Sequence, residues 1–377
     1  MYAKRTRCRS PDEDSRLRDG ARSGYAEAMP VRGQPARFVL VSADERAILD
    51  ALHAEREWPR QDVVELAHAL DAELLSYSDL PQGSWFTRGL ARWAGKPAAL
   101  AWLGFRKGGT FYFSTAENTA LPLALLLKLR PGATLAFIGH RLTTPLKTRL
   151  IRGLNLLARV RMIFCYSRLQ EAHVVARLGS SKDRVRRIPF QADEQFFKPA
   201  ELPAAGSGVV SVGREMRDYP TLFAALEGTG IPVTVVASSP WSKRADRTEN
   251  RTIPDNVTVR RNVSNGDLRE IYRHAAVVVV PLINVDFPAG ITAVLEAQAC
   301  GRPVIVSASE GILDALEADT ATIVPCGDAP ALRAAVLRLI ERPDQAAELG
   351  TRGRDGILRE RTLARWVSRI VEACARA

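Results

Sequence analysis

Gly290-Ile291-Thr292-Ala293-Val294-Leu295-Glu296-Ala297-Gln298-Ala299-Cys300-Gly301-Arg302-Pro303-Val304-Ile305 is the stretch that decides how this chain is organised. A Gly–Thr turn opens a short helical segment, Gly301 closes it, and an apolar run follows at once. A helix stopped by glycine and feeding directly into a buried strand is half of a βαβ unit. In open α/β sheets, ligands bind beyond the carboxyl ends of strands, where helix N-termini present unbonded N–H groups. The turn at Gly290 is therefore a place for an anion. Glu296, the single acid on an otherwise apolar face, either accepts hydroxyl groups there or simply favours the positive end of the helix.

The same rhythm runs outward in both directions. Upstream and within the second half, Val209–Val212, Val233–Ala237, Val257–Arg260, Ala276–Val280 and Pro303–Val306 read as strands with helices between them, and a last amphipathic stretch covers Leu363–Ala375. Before the midpoint, strands are expected at Phe38–Val41, Glu73–Ser78, Thr110–Ser114, Thr134–Ile138, Met162–Tyr166 and Val185–Pro189. Helices are expected over a Glu-rich stretch ending at Leu70, and over Thr119–Leu129, Pro145–Leu157 and Leu169–Leu178. Another covers Trp85–Phe105, interrupted near Gly95-Lys96-Pro97. Short apolar runs alternating with helices imply parallel sheets, and 377 residues are enough for two of them. The expectation is an α/β chain of two Rossmann-like, doubly wound domains facing a central cleft. Residues 1–34 read as a disordered leader, 35–199 as the first domain, 200–208 as a Pro/Gly/Ala linker, 209–360 as the second domain, and 361–377 as a helix that crosses back.

A second anion site is legible in Val209-Val210-Ser211-Val212-Gly213-Arg214-Glu215-Met216-Arg217-Asp218-Tyr219. Gly213 lets the backbone approach a ligand, and Arg214 and Arg217 are placed to grip a diphosphate through charge-assisted bonds. An ordinary corner with solvated arginines fits the residues alone equally well.

Several classes are excluded. Five widely spaced cysteines with no C-x-x-C pair fit neither a disulfide framework nor a zinc site. Gly89 to Gly95-Lys96 has the wrong spacing for a P-loop, and no G-x-G-x-x-G follows a first strand. No apolar run is long enough to span a bilayer, and no apolar signal core opens the chain, so a cytoplasmic location is expected. The net charge of +11 narrows the partners to phosphate-bearing ligands, anionic membranes or nucleic acid. Nucleic acid ranks last, without a recognition helix or an aromatic-rich basic platform.

From Gly290 to Ile305 the chain resembles the signature of family-4-like retaining glycosyltransferases of the GT-B fold (glycosyl transferases group 1). In that family a Gly-x-Thr turn precedes Leu-Glu-Ala-x-Ala-x-Gly-x-Pro-Val-Ile. The Gly213-Arg214 turn is similar to the family's first donor-domain loop, and Ile188 to Pro199 is similar to the stretch before its linker. The likeness covers roughly residues 134–377; the first hundred residues share only the rhythm.

The resemblance implies an acceptor-binding first domain and a nucleotide-sugar-binding second domain. It implies a hexosyltransferase that retains anomeric configuration and uses neither metal nor cofactor, with a UDP- or GDP-linked sugar as donor substrate. The acceptor would be a glycan, a lipid-linked sugar or a small molecule. Carried over residue by residue, Glu296 holds the ribose, Arg214 and Arg217 bind the diphosphate beside Gly213, and Gly290, Ile291 and Thr292 face phosphate or sugar. His140 resembles the first-domain histidine that reaches across to the donor sugar. The family often has two glutamates with seven residues between them. Here the first position is Pro288, with Asp286 two residues earlier as the nearest substitute. Pro288 keeps open a non-catalytic relative that binds nucleotide sugar or membrane, and a sugar-nucleotide epimerase is the other alternative.

Residues 141–170 contain no Asp or Glu and seven basic residues, among them Lys147, Arg149, Arg152 and Arg159. Leu146, Leu150, Leu154 and Leu157 fall on one side of the expected helix. Such a helix either lies on an anionic membrane, here the cytoplasmic face of an inner membrane, or faces the core with a solvated basic side. An acidic acceptor would be drawn to the same charge.

Overall fold

The computed structural model describes residues 36–43, 58–201, 206–237 and 253–376. The expected leader, residues 1–34, lies outside the described residues, as do 202–205 of the expected linker and most of the Glu-rich stretch before Leu70.

Two all-parallel six-stranded sheets form the chain. The first comprises β1 (Arg37–Val41), β2 (Glu73–Ser76), β3 (Phe111–Ser114), β4 (Thr134–Gly139), β5 (Val160–Cys165) and β6 (Val185–Arg187), in the order β2-β1-β3-β4-β5-β6. The second comprises β7 (Val209–Val212), β8 (Val233–Val236), β9 (Val257–Arg260), β10 (Val277–Val280), β11 (Val304–Ser307) and β12 (Thr322–Val324), in the order β12-β11-β10-β7-β8-β9. The central strands are covered on both faces, so they read as unbroken apolar runs; all four valines of β10 are fully buried. The two doubly wound units are those expected from sequence. The edge strand β12 was not, because it has three residues and turns Ile323 to solvent.

Strand order reverses between β1 and β3 in the first sheet and between β7 and β10 in the second. Loops leaving the two strands at such a point part to opposite sides and open a crevice. The Gly213 and Gly290 turns leave β7 and β10, and Thr115 leaves β3 beside Ser42, which follows β1.

Alternate side chains of the first sheet feed two cores. Leu40, Tyr112, Leu135, Phe137 and Ile163 pack beneath the helices Lys96–Lys107 and Glu117–Leu126. Val39, Phe113, Ile138, Met162 and Phe164 meet the helix Leu363–Arg376, which returns from the second domain and contributes Leu363, Trp366 and Ile370. Ala192 and Thr362 pair side by side where the chain crosses out and back. The expected break near Gly95 is present, as helices Trp85–Trp93 and Lys96–Lys107.

The helix expected over Pro145–Leu157 is shorter. It ends at Gly153, Asn155 takes a left-handed conformation at φ 42°, and a 3-10 turn covers Leu156–Arg159. Ile151 and Leu156 face the core, whereas Leu146, Leu150 and Leu154 point to solvent.

Trp366 is 1% exposed against the first sheet, although it lies far along the chain from that sheet. Trp366→Ala should lower stability by about 3–5 kcal/mol, read by urea unfolding. A loss below about 1 kcal/mol would mean that this helix is an appendage and not part of the first core.

Candidate functional site

On the second domain the two loops at the switch point are joined. Arg217 and Leu282 form an isolated antiparallel bridge, the Asp218 N–H donates to the Pro281 carbonyl at 3.0 Å, and the Ile283 N–H to the Met216 carbonyl at 3.2 Å. Beneath them lies Arg217, 5% exposed, donating from Nε to the Val212 carbonyl at 2.8 Å and from Nη1 to the Glu215 carbonyl at 2.9 Å. Gly213 (φ 113°) and Gly290 (φ 84°) arch over this guanidinium. A Cβ would lie 2.4 Å from Nη2 at the first and 3.2 Å from Nη1 at the second. Both turns need glycine for their left-handed backbone and for the room it leaves the cation.

Gly290 caps the helix Ile291–Ala299. Thr292 is exposed at its open end, while Ile291 is buried and its N–H donates to the Pro288 carbonyl at 3.3 Å. Glu296 is half-buried and accepts a hydrogen bond from the Tyr272 hydroxyl at 2.9 Å. Burial pushes its carboxyl up to about 7, against the opposing pull of Tyr272 and of the Arg217 charge. Arg214 is half-buried on the Gly213 turn.

Three of the roles expected from the sequence change here. Arg217 is buried under the turns, where loop carbonyls hold its Nε and Nη1; Arg214, half-buried, stands on the Gly213 turn itself. Ile291 offers the site neither its side chain nor its N–H. Asp286 is exposed and, among the described residues, makes no hydrogen bond to the other donor-side groups. Its loop is fastened elsewhere: the Val285 N–H donates to Ser309 Oγ at 3.0 Å, and the Gly311 N–H to the Val285 carbonyl at 2.8 Å.

On the first domain, His140 follows β4 and is exposed. Its Nε2 lies 2.9 Å from the Thr115 carbonyl at the first switch point, and its N–H donates to Glu117 Oε2 at 3.0 Å. Lys147 Nζ donates to Glu117 Oε1 at 2.7 Å, so Lys147 is taken up by a buried carboxylate and does not join the outer basic surface. Burial alone would raise the Glu117 pKa; the bonds from Lys147 and His140 overcome it and hold the carboxyl below its ordinary value. Arg159 is likewise engaged, donating to the Pro131 carbonyl at 2.9 Å, while Arg149 and Arg152 remain exposed.

Sequence reasoning missed Asp62. It reads as an ordinary first-turn helix acid, yet it accepts from Gln191 Nε2 at 2.7 Å, and burial raises its pKa against the hydrogen bonds from the Val63 N–H and Gln191. Tyr166 stacks on Phe190 at 3.9 Å and lies 5.6 Å from the His140 ring. No local pattern brings residues 62, 140, 166 and 190 together; only the sheet does. Asp314 of the second domain faces them, accepting from the Arg168 N–H at 2.6 Å. A cavity of about 380 Å³ runs between the domains here, lined by Tyr166, Phe190, Asp314 and Leu316. A larger cavity of about 920 Å³ lies on the far side of the first domain between β6 and the last helix. It is arginine-lined, with Arg159 among its walls, and contains none of Asp62, His140, Tyr166 and Phe190. Among the described residues no cluster of three or more His, Cys, Asp or Glu is arranged to hold a metal, and no helix is long and apolar enough to cross a membrane.

Residues 221–356, most of the second domain, match the family described as Glycosyl transferases group 1. No curated protein gives a significant match. Among solved structures, sucrose-phosphate synthase from Thermosynechococcus elongatus is similar at a TM-score of 0.66 and 18% identity, covering 90% of this chain and 98% of that one. HepE of Anabaena, in complex with UDP-glucose, is similar at a TM-score of 0.65 and 13% identity, covering 90% and 100%. A trehalose-6-phosphate synthase studied for glycosyl transfer with retention aligns at a TM-score of 0.60 and 15% identity, covering 91% and 99%. The chain has the GT-B fold, and residues 221–356 of its second domain are similar to group 1 glycosyltransferases.

The raised Glu296 carboxyl sets a pH dependence. From the ordinary value of 4.5 to about 7 the folded protein keeps a proton that the unfolded chain releases. This residue's contribution to stability therefore falls as pH rises through that window and is level above it. Urea unfolding from pH 4.5 to 7.5 should show wild type losing stability relative to Glu296→Gln as pH rises. Parallel curves for the two proteins would mean that Glu296 titrates normally.

Proposed function

We propose that the protein is a glycosyltransferase that takes a hexose from a UDP- or GDP-sugar held on the second domain and joins it to an acceptor hydroxyl held on the first. The observation that carries this reading is the pair of glycine turns fixed over Arg217 at the β7/β10 switch point. Arg214 stands on the first of these turns, Gly290 of the second caps the Ile291–Ala299 helix, and Glu296 of that helix is held by the Tyr272 hydroxyl. That arrangement suits a nucleoside diphosphate: cation and N–H groups for the phosphates, carboxylate for the ribose hydroxyls.

In the reaction the bond from the anomeric carbon to the diphosphate oxygen breaks, a bond to the acceptor oxygen forms, and the proton of the acceptor hydroxyl passes to the departing diphosphate. Negative charge builds on the leaving diphosphate, where Arg214 and the helix N-terminus stabilise it without a metal. Arg217 acts as a positioning residue by shaping the turns. His140, held by Thr115 and Glu117, faces the transferred sugar, and Asp62 with Tyr166 lines the acceptor side. Retention is supported by the trehalose-6-phosphate synthase likeness. The match to a group 1 segment and the UDP-glucose held by HepE support a nucleotide-sugar donor. A glycan or lipid-linked acceptor suits the open cleft, and a cytoplasmic enzyme would meet such donors directly.

A second reading, a non-catalytic nucleotide-sugar binder, is favoured by Pro288 alone. The two separate in one experiment. Calorimetric titration with common UDP-, GDP- and ADP-sugars should find one donor, which is slowly hydrolysed. Glu296→Ala and Arg214→Ala should each weaken it by about 10-fold to 100-fold, the size of a lost charge-assisted bond. Binding without hydrolysis or transfer to any acceptor supports the binder, and no nucleotide-sugar binding defeats both readings. Once an acceptor is found, Asp62→Asn should lower kcat at least tenfold while donor affinity stays within twofold. A matching loss of donor affinity would remove Asp62 from the acceptor side.

A further inference from the structure

One face of the first domain is built unlike the rest of the molecule. Between Leu80 and Gln170 the sequence has fourteen Lys and Arg and one acid, Glu117, and that acid is buried and neutralised by Lys147. From Trp85 to Leu154 stand eight of the thirteen large apolar residues that are exposed among the described residues. Trp85 is 78% exposed, Trp93 88%, Leu129 78% and Leu146 68%. Single exposed apolar residues are ordinary, but a cluster of this kind rimmed by charge marks an interaction surface.

The cluster is continuous. Helices Trp85–Trp93, Lys96–Lys107 and Glu117–Leu126 and the turn Leu156–Arg159 lie side by side over one side of the sheet, opposite the returning C-terminal helix. Trp85 meets Phe86 at 6.0 Å, Phe86 meets Trp102 at 5.1 Å, and Trp102 meets Phe105 at 6.1 Å. Arg130 lies 4.4 Å over the Phe105 ring, and Lys128 Nζ donates to the Leu154 carbonyl. Leu154 closes the stripe begun by Leu146 and Leu150, with Arg149 and Arg152 exposed on the same helix.

We propose that this face, from Trp85 to Leu154, docks the protein on the surface of an anionic lipid bilayer. Tryptophans standing almost free in water have the amphipathic ring that settles at the headgroup level, and leucines beside them reach the acyl boundary. Lysines and arginines bury their stems along such a surface and keep their charges among lipid phosphates. A protein partner of matching shape would have to supply acidic groups over the whole face. A bilayer supplies them everywhere, which suits a surface whose exposed charges are of one sign. Glu117 links this face to the cleft, since it holds Lys147 of the docking helix and the N–H of His140. Docking would thus present the first-domain side of the cleft to the membrane. The docking itself does not depend on the transferase reading.

The test is co-sedimentation of the full chain with vesicles of phosphatidylcholine alone or with 30 mol% (about a third) phosphatidylglycerol. Binding is expected only with the anionic lipid and should weaken as salt is raised. Arg149→Glu with Arg152→Glu should lower the partition coefficient at least 25-fold, at roughly fivefold per charge removed. Trp85→Ser with Trp93→Ser should lower it at least tenfold at unchanged net charge. Arg338→Glu, an exposed arginine of the second domain, should change it less than threefold. Failure to bind anionic vesicles at low salt overturns the proposal. So does an Arg338→Glu loss equal to that at Arg149 and Arg152, which would mean diffuse charge, and so does a tryptophan pair without effect. Dimers in sedimentation velocity that vanish with the tryptophan pair would assign the face to a second copy of the chain and overturn it as well.

Discussion

The switch point of the second sheet depends on one buried cation. Arg217 lies beneath two glycine turns that come from strands on either side of the switch point, and its donors close onto the carbonyls of Val212 and Glu215. Burial pulls the guanidinium below its ordinary pKa. A charge in that position is tolerated only when its hydrogen bonds are met and its neighbours are acceptors. The carbonyls, the phenolic oxygens of Tyr219 and Tyr272, and the carboxyl groups of Glu215 and Glu296 form that environment. The consequence is a pair of loops whose shape is fixed before any ligand arrives, and preorganisation of that kind is what stabilises developing charge effectively.

A second set of cations holds the two domains together. The outward and return crossings run side by side at Ala192 and Thr362. Arg60 pairs with Asp193 at 2.6 Å, and Arg354 donates to the carbonyls of Glu194, Phe197 and Ala299, so the first domain, the crossing and the second domain share bonds at one place. Across the cleft itself the ties are fewer, chiefly Asp314 with Arg168. The arginine surplus has at least three uses: internal supports such as Arg217, fasteners such as Arg354, and surface charge such as Arg149.

The sequence by itself determined the architecture. Parallel strands covered on both faces must be apolar throughout, and glycines that end helices or take left-handed turns cannot be replaced silently, so Val277–Val280, Gly213, Gly290 and the Glu296 helix were legible one by one. Tertiary structure alone decided which charged residues serve the site. Arg214 and Arg217 look equivalent three residues apart, but Arg214 is half-buried and Arg217 is buried beneath the turns, where its backbone pairs with Leu282 from far along the chain. Lys147 reads as surface charge until Glu117 is found under it. Asp62 reads as an ordinary first-turn helix acid until Gln191 is found bonded to it. The leucines after Pro145 read as a core stripe or a membrane stripe with equal right, and only the seating of Ile151 turns them outward. Local pattern fixes which face of a segment is apolar and where its chain must turn. It does not fix which neighbour arrives there, because burial, and with it the role of every charge, is a property of segments distant in sequence meeting in space.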